Sequence, residues 1–403
     1  MELSALSLRL RALSALRGLQ KTPLVRAVMH TLDSLTQDSA AFADAYGALC
    51  AAHYACGDAS RTILDAVHYD VNTLTDTLAA PADALLDAAT RDIQTVNALL
   101  ALDGTALKSA AATRFSTPAL LDLPDFPADA PLPFRDGAAL ASYYRAQGYG
   151  FFAQAAAFAV QDDGSVRPII HPDPIRLCDL PGYERQKQQI LQNTRAFLGG
   201  REANNILLYG DKGTGKSSTV KAVVNEYAAR GLKIIEMSPR HITCFPQIFA
   251  ETLRSPFKFI VFLDDLSFSR EDDNFAALKA FIEGGLAGKP ANLVIYATSN
   301  RRHLIRENFA DREGDEVRVR DGLETVTALS DRFGLEITFS VPDKDEYLFI
   351  VDRLAAESGL ALEGEQLHLL AERFALRRNG RSPRTARQFI SQQLAEKFEK
   401  TEK

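Results

Sequence analysis

The stretch that decides the fold is Gly-Asp-Lys-Gly-Thr-Gly-Lys-Ser at residues 210–217, which completes the pattern G-x-x-x-x-G-K-[ST]. An apolar run at residues 205–209 precedes it, and a run with helical spacing at 219–227 follows it, so the loop joins a buried strand to a helix. In that setting the backbone N–H groups of the turn face phosphate oxygens, and the helix N-terminus adds partial positive charge. The pattern therefore predicts a phosphate-binding loop.

Positions within this loop have predicted roles in holding ATP. Lys216 is expected to reach the β- and γ-phosphates, and Ser217 is expected to give its hydroxyl to Mg²⁺. The surrounding backbone forms the cradle. The candidate ATP-binding set is Gly210, Asp211, Lys212, Gly213, Thr214, Gly215, Lys216, Ser217 and Ser218.

Length and composition indicate a large globular protein of more than one domain. The chain has 403 residues, of which 46% are apolar and 24% charged. No apolar run reaches the roughly 18 residues that span a bilayer, and no secretory leader pattern opens the chain, so we expect a cytoplasmic protein with no membrane partner. The net charge of −6 argues against a surface that coats nucleic acid, while a local basic groove stays open.

The chain divides into four predicted segments. Residues 1–114 are rich in Ala and Leu at three-to-four spacing, which predicts an all-α N-terminal domain. Prolines exclude a regular helix at the start of 115–178, and an Asp-Gly turn between apolar runs follows, so this segment is predicted to be a Pro-rich linker and hairpin. Alternating strands and helices over 179–341 predict an α/β domain with a parallel sheet. Residues 342–403 are predicted to form a helical lid.

A second motif begins about fifty residues after Lys216. Five apolar residues, Phe259–Leu263, predict a strand through the middle of the sheet, and they lead into Asp264 and Asp265. The carboxyl end of this strand is expected at the same sheet edge as the phosphate loop. Asp264 is therefore expected to hold Mg²⁺, directly or through water, and Asp265 to orient or deprotonate the attacking water.

From residue 179 onward the order of the motifs resembles the AAA+ ATPases, a family of P-loop NTPases. Asp179-Leu180-Pro181-Gly182-Tyr183-Glu184 is similar to the segment that lies over the adenine, which adds Gly182 and Tyr183 to the ATP site. Residues 293–300 resemble the strand that ends in the first sensor, which implies that Asn300 contacts the γ-phosphate or the water. The sequences of two motifs, Gly-Asp-Lys-Gly-Thr-Gly-Lys-Ser-Ser and Ala-Thr-Ser-Asn-Arg-Arg-His, are most similar to those of a bacterial AAA+ family labelled domain of unknown function 815.

The resemblance also implies two arginines of the site. Ser330-Asp331-Arg332-Phe333-Gly334 resembles the segment that supplies an arginine finger to the next subunit, so Arg332 implies a homo-oligomer that forms a ring or a spiral. The stretch Gly380–Arg387 resembles the start of the third lid helix, which carries the second sensor. Arg384 is expected in that role, with Arg387 as the alternative.

Two departures from the wider family bear on function. Most AAA+ motors have Glu where this chain has Asp265, and residues 238–246 lack the aromatic–apolar–Gly pore loop of protein-threading members. Phe245 is expected to be a packing residue.

We therefore expect an oligomeric, Mg²⁺-dependent ATPase that remodels or recruits an unknown protein partner through its N-terminal domain. The alternatives are a DNA-associated module of low turnover, similar to helicase loaders, and, ranked last, a small-molecule P-loop kinase.

Overall fold

The structure is a computed structural model, which describes residues 3–267, 273–282, 291–300, 332–362, 364–378 and 380–401. Contacts divide the chain into two compact units, Met1–Gln154 and Ala155–Lys403. Within the described ranges, no helix combines the length and the apolar character needed to cross a membrane.

The first unit is helical, as predicted. Its helices are α1 (Leu3–Arg11), α2 (Pro23–Ser34), α3 (Ser39–Cys56), α4 (Ala59–His68), α5 (Thr73–Asp76), α6 (Asp83–Leu100), α7 (Gly104–Phe115) and α8 (Gly137–Gln147). Asp38, Asp103 and Asp136 accept backbone N–H groups at the starts of α3, α7 and α8. Such aspartate caps satisfy the free N–H groups of a first helical turn, which fixes where these helices begin.

The Pro-rich segment 115–134 packs on the helices of the first unit. The amide of Asp129 donates to Leu100 O (2.8 Å), and the hydroxyl of Tyr46 donates to Pro124 O (2.8 Å). Four of its side chains are buried in the helical core, namely Leu120, Phe126, Leu132 and Phe134. The prolines exclude a regular α-helix here, as predicted, but the segment is a cover for the core, which its sequence pattern did not predict.

The second unit contains a sheet of seven strands within the described ranges. The strands are β1 (Ala157–Val160), β2 (Val166–Pro168), β3 (Ile206–Gly210), β4 (Leu232–Met237), β5 (Lys258–Leu263), β6 (Leu293–Ser299) and β7 (Leu335–Phe339). Their order is β2-β1-β4-β5-β6-β3-β7, and every neighbouring pair except β1 and β2 is parallel. The helices of this unit are α9 (Glu184–Leu198), α10 (Lys216–Tyr227), α11 (Phe245–Leu253), α12 (Asp273–Ile282), α13 (Lys344–Ser358), α14 (Gly364–Arg377) and α15 (Pro383–Thr401).

Strand β5 occupies the middle of this sheet, as predicted. All five residues of Phe259–Leu263 are fully buried, and burial of each large apolar side chain stabilises the fold by about 1.5–3 kcal/mol. The register places Leu263 opposite Ala297 of β6, and Ala297 opposite Leu207 of β3. The carboxyl ends of β3, β5 and β6 therefore meet at one edge of the sheet.

The predicted hairpin forms, but it extends the sheet as β1 and β2. Ala157 pairs with Ile234 of β4 in parallel register. In the hairpin turn, Asp162 lies 2.8 Å from Nη2 of Arg240 and 3.2 Å from Nε2 of His241. The turn thus contacts the segment 238–246 through Arg240 and His241, and Phe245 within that segment is buried, as expected for a packing residue.

Helices α13, α14 and α15 form the predicted helical lid. A capping box starts α13, in which Asp343 accepts from the amide of Glu346 and Glu346 accepts from the amide of Asp343. The lid has its own apolar core, made by Tyr347, Ile350, Val351, Leu367, Ala371 and Phe389. Arg381 makes two hydrogen bonds to Glu372, so this arginine fastens α14 to the start of α15.

Candidate nucleotide site

The loop after β3 turns sharply at the carboxyl edge of the sheet. Gly210 has φ +132°, and a Cβ atom there would lie 2.1 Å from the carbonyl oxygen of Phe339 in β7. Only glycine fits this conformation and this close approach. The hydroxyl of Thr214 donates to Asp211 O (2.8 Å), which closes the turn before α10 begins at Lys216.

Lys216 is buried at the head of α10, with 7% of its surface exposed. Its Nζ donates to the carbonyl oxygens of Gly210 and Asp211 at 2.7 Å each, and to Oδ1 of Asn300 at 3.2 Å. Burial lowers the pKa of Lys216, and the nearby Asp211, Asp265 and Asp264 carboxylates oppose that shift. The ammonium group is therefore held in place by acceptors that phosphate oxygens could replace.

Asp264 is the centre of a hydrogen-bonded cluster at the end of β5. Its Oδ1 accepts from the hydroxyl of Ser217 (2.6 Å) and from the hydroxyl of Thr298 (2.6 Å). The hydroxyl of Ser217 in the first turn of α10 and the carboxylate of Asp264 after β5 form the kind of oxygen set that Mg²⁺ shares with phosphate groups. Ser217 and Asp264 thus fit the predicted metal role, and Thr298 orients the carboxylate.

Asp265 has a left-handed backbone, with φ +52°. Its amide donates to Oγ1 of Thr298 (2.9 Å), and its Oδ1 accepts from Nδ2 of Asn300 (2.5 Å). Aspartate tolerates this conformation better than most residues. The structure thus brings Asn300, Asp265 and Lys216 together, as the predicted roles require.

A cavity of about 670 Å³ lies between this sheet edge and the lid. From the α/β side it is lined by Leu180, Lys212, Gly213, Gly215, Lys216, Ser217, Ser218, Asp264, Asp265, Thr298 and Asn300. From the lid it is lined by Pro383, Arg384, Arg387, Gln388 and Ser391. The last four of these recur at i, i+3, i+4 and i+7, so one face of α15 is directed at the loop.

The start of α15 is docked directly on the phosphate loop. The hydroxyl of Ser382 accepts from the amide of Thr385 (3.1 Å), and Pro383 occupies the first helical position. The amide of Arg384 donates to Gly213 O (3.2 Å). Arg384 therefore faces the same cavity as Lys216, on the side of the lid.

Gly182 and Tyr183 do not line the large cavity. The ring of Tyr183 stacks on Phe339, with ring centroids 5.0 Å apart, and its hydroxyl donates to Ser340 O (2.7 Å). Burial raises the pKa of Tyr183. Together with Thr214 and Ile350 among others, Gly182 and Tyr183 line a separate cavity of about 20 Å³.

Arg332 is exposed and lies at the other edge of the sheet. It precedes β7, whose first residue Leu335 pairs with Ile206 at the amino end of β3. The length of the strand puts roughly 13 Å between that end and the phosphate loop. The structure therefore does not bring Arg332 to the cavity of its own chain, and Ser330 and Asp331 lie outside the described residues.

Sequence reasoning did not identify Thr298, Leu180, Gln388 or Ser391 as site residues. Thr298 could have been found because it stands two residues before Asn300 in the same motif. Gln388 and Ser391 follow from Arg384 by helical spacing. For Leu180, a resemblance had indicated the segment, but no signal showed which of its residues faces the cavity.

The parallel sheet, the acidic pair beside the phosphate loop and the docked helical lid place the chain in the AAA+ superfamily of P-loop nucleotide-binding proteins. Within it, the chain belongs to the family described as "Protein of unknown function (DUF815)", whose family model matches residues 153–397.

Likenesses to individual proteins are short or distant. The chain is 38% identical over 71 residues to the replication factor C large subunit of Staphylothermus marinus, which covers 17% of this chain and 16% of that protein. It is similar to RuvB of Thermotoga maritima, a Holliday junction branch migration motor, with a TM-score of 0.38 and 16% identity, and to a RuvB variant with 0.39 and 18%. Each RuvB likeness covers 54% of this chain and 63% of the other.

Proposed function

We propose that this protein is an oligomeric, Mg²⁺-dependent ATPase that remodels or recruits a protein partner. In this proposal residues 1–114, with the segment 115–134 that covers their core, recognise the partner, 179–341 bind and hydrolyse ATP, and 342–403 form the lid. The proposal also places the protein in the cytoplasm.

The observation that carries the proposal is the joint placement of one cation and two carboxylates in a single cavity. Lys216 is held for phosphate, and Asp264 is bonded to Ser217 at the position for Mg²⁺. Asp265 lies beside Asn300, on the same cavity wall. Different side chains thus serve the binding of ATP and its hydrolysis, as phosphoryl transfer to water requires.

The roles of the residues follow from their positions. Bound ATP with Mg²⁺ supplies the phosphoryl group that is transferred to water. The backbone of Gly210–Ser218 and Lys216 hold the phosphates, while Asp265 orients the water and takes its proton. Asn300 fixes the carboxylate of Asp265, and Arg384 compensates phosphate charge from the lid.

The test is ATP hydrolysis by the full chain. We expect phosphate release that requires Mg²⁺ and stops with a chelator, because Ser217 and Asp264 are placed to hold the metal. Release of phosphate at the same rate with Mg²⁺ and with the chelator would contradict the metal role. No release at any protein concentration, although ATP binds, would contradict the ATPase proposal.

A nucleotide-gated, DNA-associated function is the second candidate. Of the arginines in the lid, Arg373 and Arg377 on α14 and Arg378 directly after it are exposed, whereas Arg381 is paired with Glu372. Three exposed cations form a small basic surface. If it binds DNA, affinity for duplex or single-stranded DNA should fall steeply as salt rises. If DNA does not bind, or binds with an affinity that does not depend on salt, the DNA-associated function is excluded and the protein-partner function remains.

A further inference from the structure

The segment before α9 is fastened from two sides by cations. We call residues 179–182 the strap. Lys187 of α9 donates to Leu180 O (2.7 Å), and Nη2 of Arg387 in α15 donates to Asp179 O. The first bond ties the strap to the α/β part, and the second ties it to the lid. The strap carbonyls are thus a point at which the two parts are joined.

Arg387 and Arg384 have different surroundings although they lie on one face of α15. Arg384 lines the large cavity together with Lys216 and Asp265, the phosphate side of the site. Arg387 lines the large cavity too, but also the small cavity beside Gly182, and its guanidinium is bonded to the strap. Only Leu180 among the strap residues lines both of these cavities.

We propose that Arg387 is a positioning residue that ties the strap to the lid and so sets the wall of the site beyond the phosphates. This inference rests on the proposed nucleotide function. Leu180 then contacts the part of the ligand that the phosphate loop does not reach, which is the nucleoside. Arg384 acts on the phosphates alone. The two arginines that the sequence left as alternatives therefore have different functions.

The division of roles predicts different ligand dependence for the two arginines. Replacing Arg387 leaves the strap held from the α/β part alone, so ligand binding must order it, and we expect about a tenfold loss of affinity, the equivalent of one charged hydrogen bond. That loss should be equal for ATP and ADP, and absent for Mg²⁺-tripolyphosphate, which has no nucleoside. Replacing Arg384 should weaken tripolyphosphate and ATP more than ADP.

The experiment measures binding of ATP, ADP and Mg²⁺-tripolyphosphate to the full chain by calorimetry. The variants are Arg387→Ala, Arg387→Lys, Arg384→Ala and, as a matched control on an exposed lid arginine, Arg377→Ala. We expect Arg387→Lys to restore part of the affinity because lysine keeps one donor, and Arg377→Ala to bind like the wild type. If Arg387→Ala weakens tripolyphosphate as much as ATP, or changes no affinity, the inference is wrong.

A second measurement separates this inference from the proposed function. Hydrogen exchange of the strap amides in the nucleotide-free protein should become faster in Arg387→Ala and stay unchanged in Arg384→Ala. Unchanged strap exchange in Arg387→Ala would overturn the tether. If the wild type bound none of the three probes, the proposed function would fail, while hydrogen exchange would still decide whether the tether exists.

Discussion

Asp265 shows at the scale of one residue why this chain has aspartate where most AAA+ motors have glutamate. Its left-handed backbone is held by Thr298, and its carboxylate by Asn300. Aspartate is one of the few residues with a side chain that adopt this conformation at low cost. The short side chain is therefore matched to the turn that carries it.

We predict that Asp265→Glu lowers turnover although it restores the commoner residue. The extra methylene moves the carboxylate by more than 1 Å from its bond to Asn300, and a misplacement of this size costs about a hundredfold in rate. The affinity for ATP should stay near the wild-type value. Steady-state hydrolysis and calorimetry check this, and a variant as fast as the wild type would show that the left-handed geometry is irrelevant.

Lys233 is a second residue whose effect on stability is visible only in the structure, because its amino group is buried. Its side chain is buried, Nζ donates to Ala155 O (2.8 Å) and lies 4.3 Å from the ring centroid of Phe257. Burial lowers the pKa of Lys233 to about 8. Because an unfolded lysine keeps its proton to about pH 10.4, the unfolded state binds more protons between these two values.

The free energy of unfolding should therefore rise with pH through this window. Between pH 7.5 and 9.5 the contribution of Lys233 is about 1–2 kcal/mol, present at high pH and lost as pH falls through 8. Urea denaturation of the wild type and of Lys233→Met over this pH range measures the free energy of unfolding of each. The difference between the two free energies at each pH gives the contribution of Lys233. A constant difference across the range would contradict the shifted pKa.

Most residues of the site were predictable from sequence because the loop and the acidic pair are contiguous motifs at strand ends. Lys216, Ser217, Asp264, Asp265 and Asn300 come together as expected. The orientation of Arg387 depends on a contact between segments far apart in the chain. No local pattern encodes such contacts.

At the scale of elements, the start of α15 against the phosphate loop is the contact that couples lid and sheet. Gly213 has φ +82°, and a Cβ atom there would lie 3.2 Å from Oγ of Ser382 and 3.3 Å from Cβ of Arg384. Gly200 offers a comparison, because it has φ +71° but no atom within 4 Å of such a Cβ.

We predict that Gly213→Ala loosens the lid and Gly200→Ala does not. Both substitutions destabilise the fold by about 1–2 kcal/mol, because alanine disfavours the left-handed conformation. Only Gly213→Ala also places a methyl group against the start of α15. Hydrogen exchange should therefore become faster over residues 383–397 in Gly213→Ala alone. Equal exchange in the two variants would mean that the contact at Gly213 does not hold α15.

Strands β3, β5 and β6 were predicted nearly to their ends, since buried parallel strands form continuous apolar runs. The hairpin was predicted as well, but its pairing with β4 was not, because the pairing partner of a short strand is a tertiary property. The cover formed by residues 115–134 was missed for the same reason.

At the scale of the whole molecule, Arg332 raises the question of assembly. It lies at the sheet edge away from the loop of its own chain, so the proposed finger role requires a γ-phosphate bound to a neighbouring copy. A head-to-tail contact of that kind forms a ring or a spiral. The position of Arg332 is consistent with a finger that acts on a neighbouring copy, and the assembly stays a proposal.

We predict that hydrolysis per subunit rises with protein concentration and that Arg332→Ala binds ATP normally but loses about three orders of magnitude in rate. A mixture of Arg332→Ala with Lys216→Ala should recover activity, since an intact finger then faces an intact loop. Phosphate release over a concentration series and in mixtures checks this. An inactive mixture in which mixed assemblies form would exclude a finger in trans.

The central claim is that the two strand-end motifs divide binding from hydrolysis, and calorimetry with single-turnover kinetics tests it most directly. Lys216→Ala should abolish ATP binding, because it removes the cation that faces the phosphates. Asp265→Asn should bind ATP like the wild type and lower turnover by about two to four orders of magnitude, because Asp264 and Ser217 still hold Mg²⁺. An equal loss of ATP affinity in both variants would contradict the account.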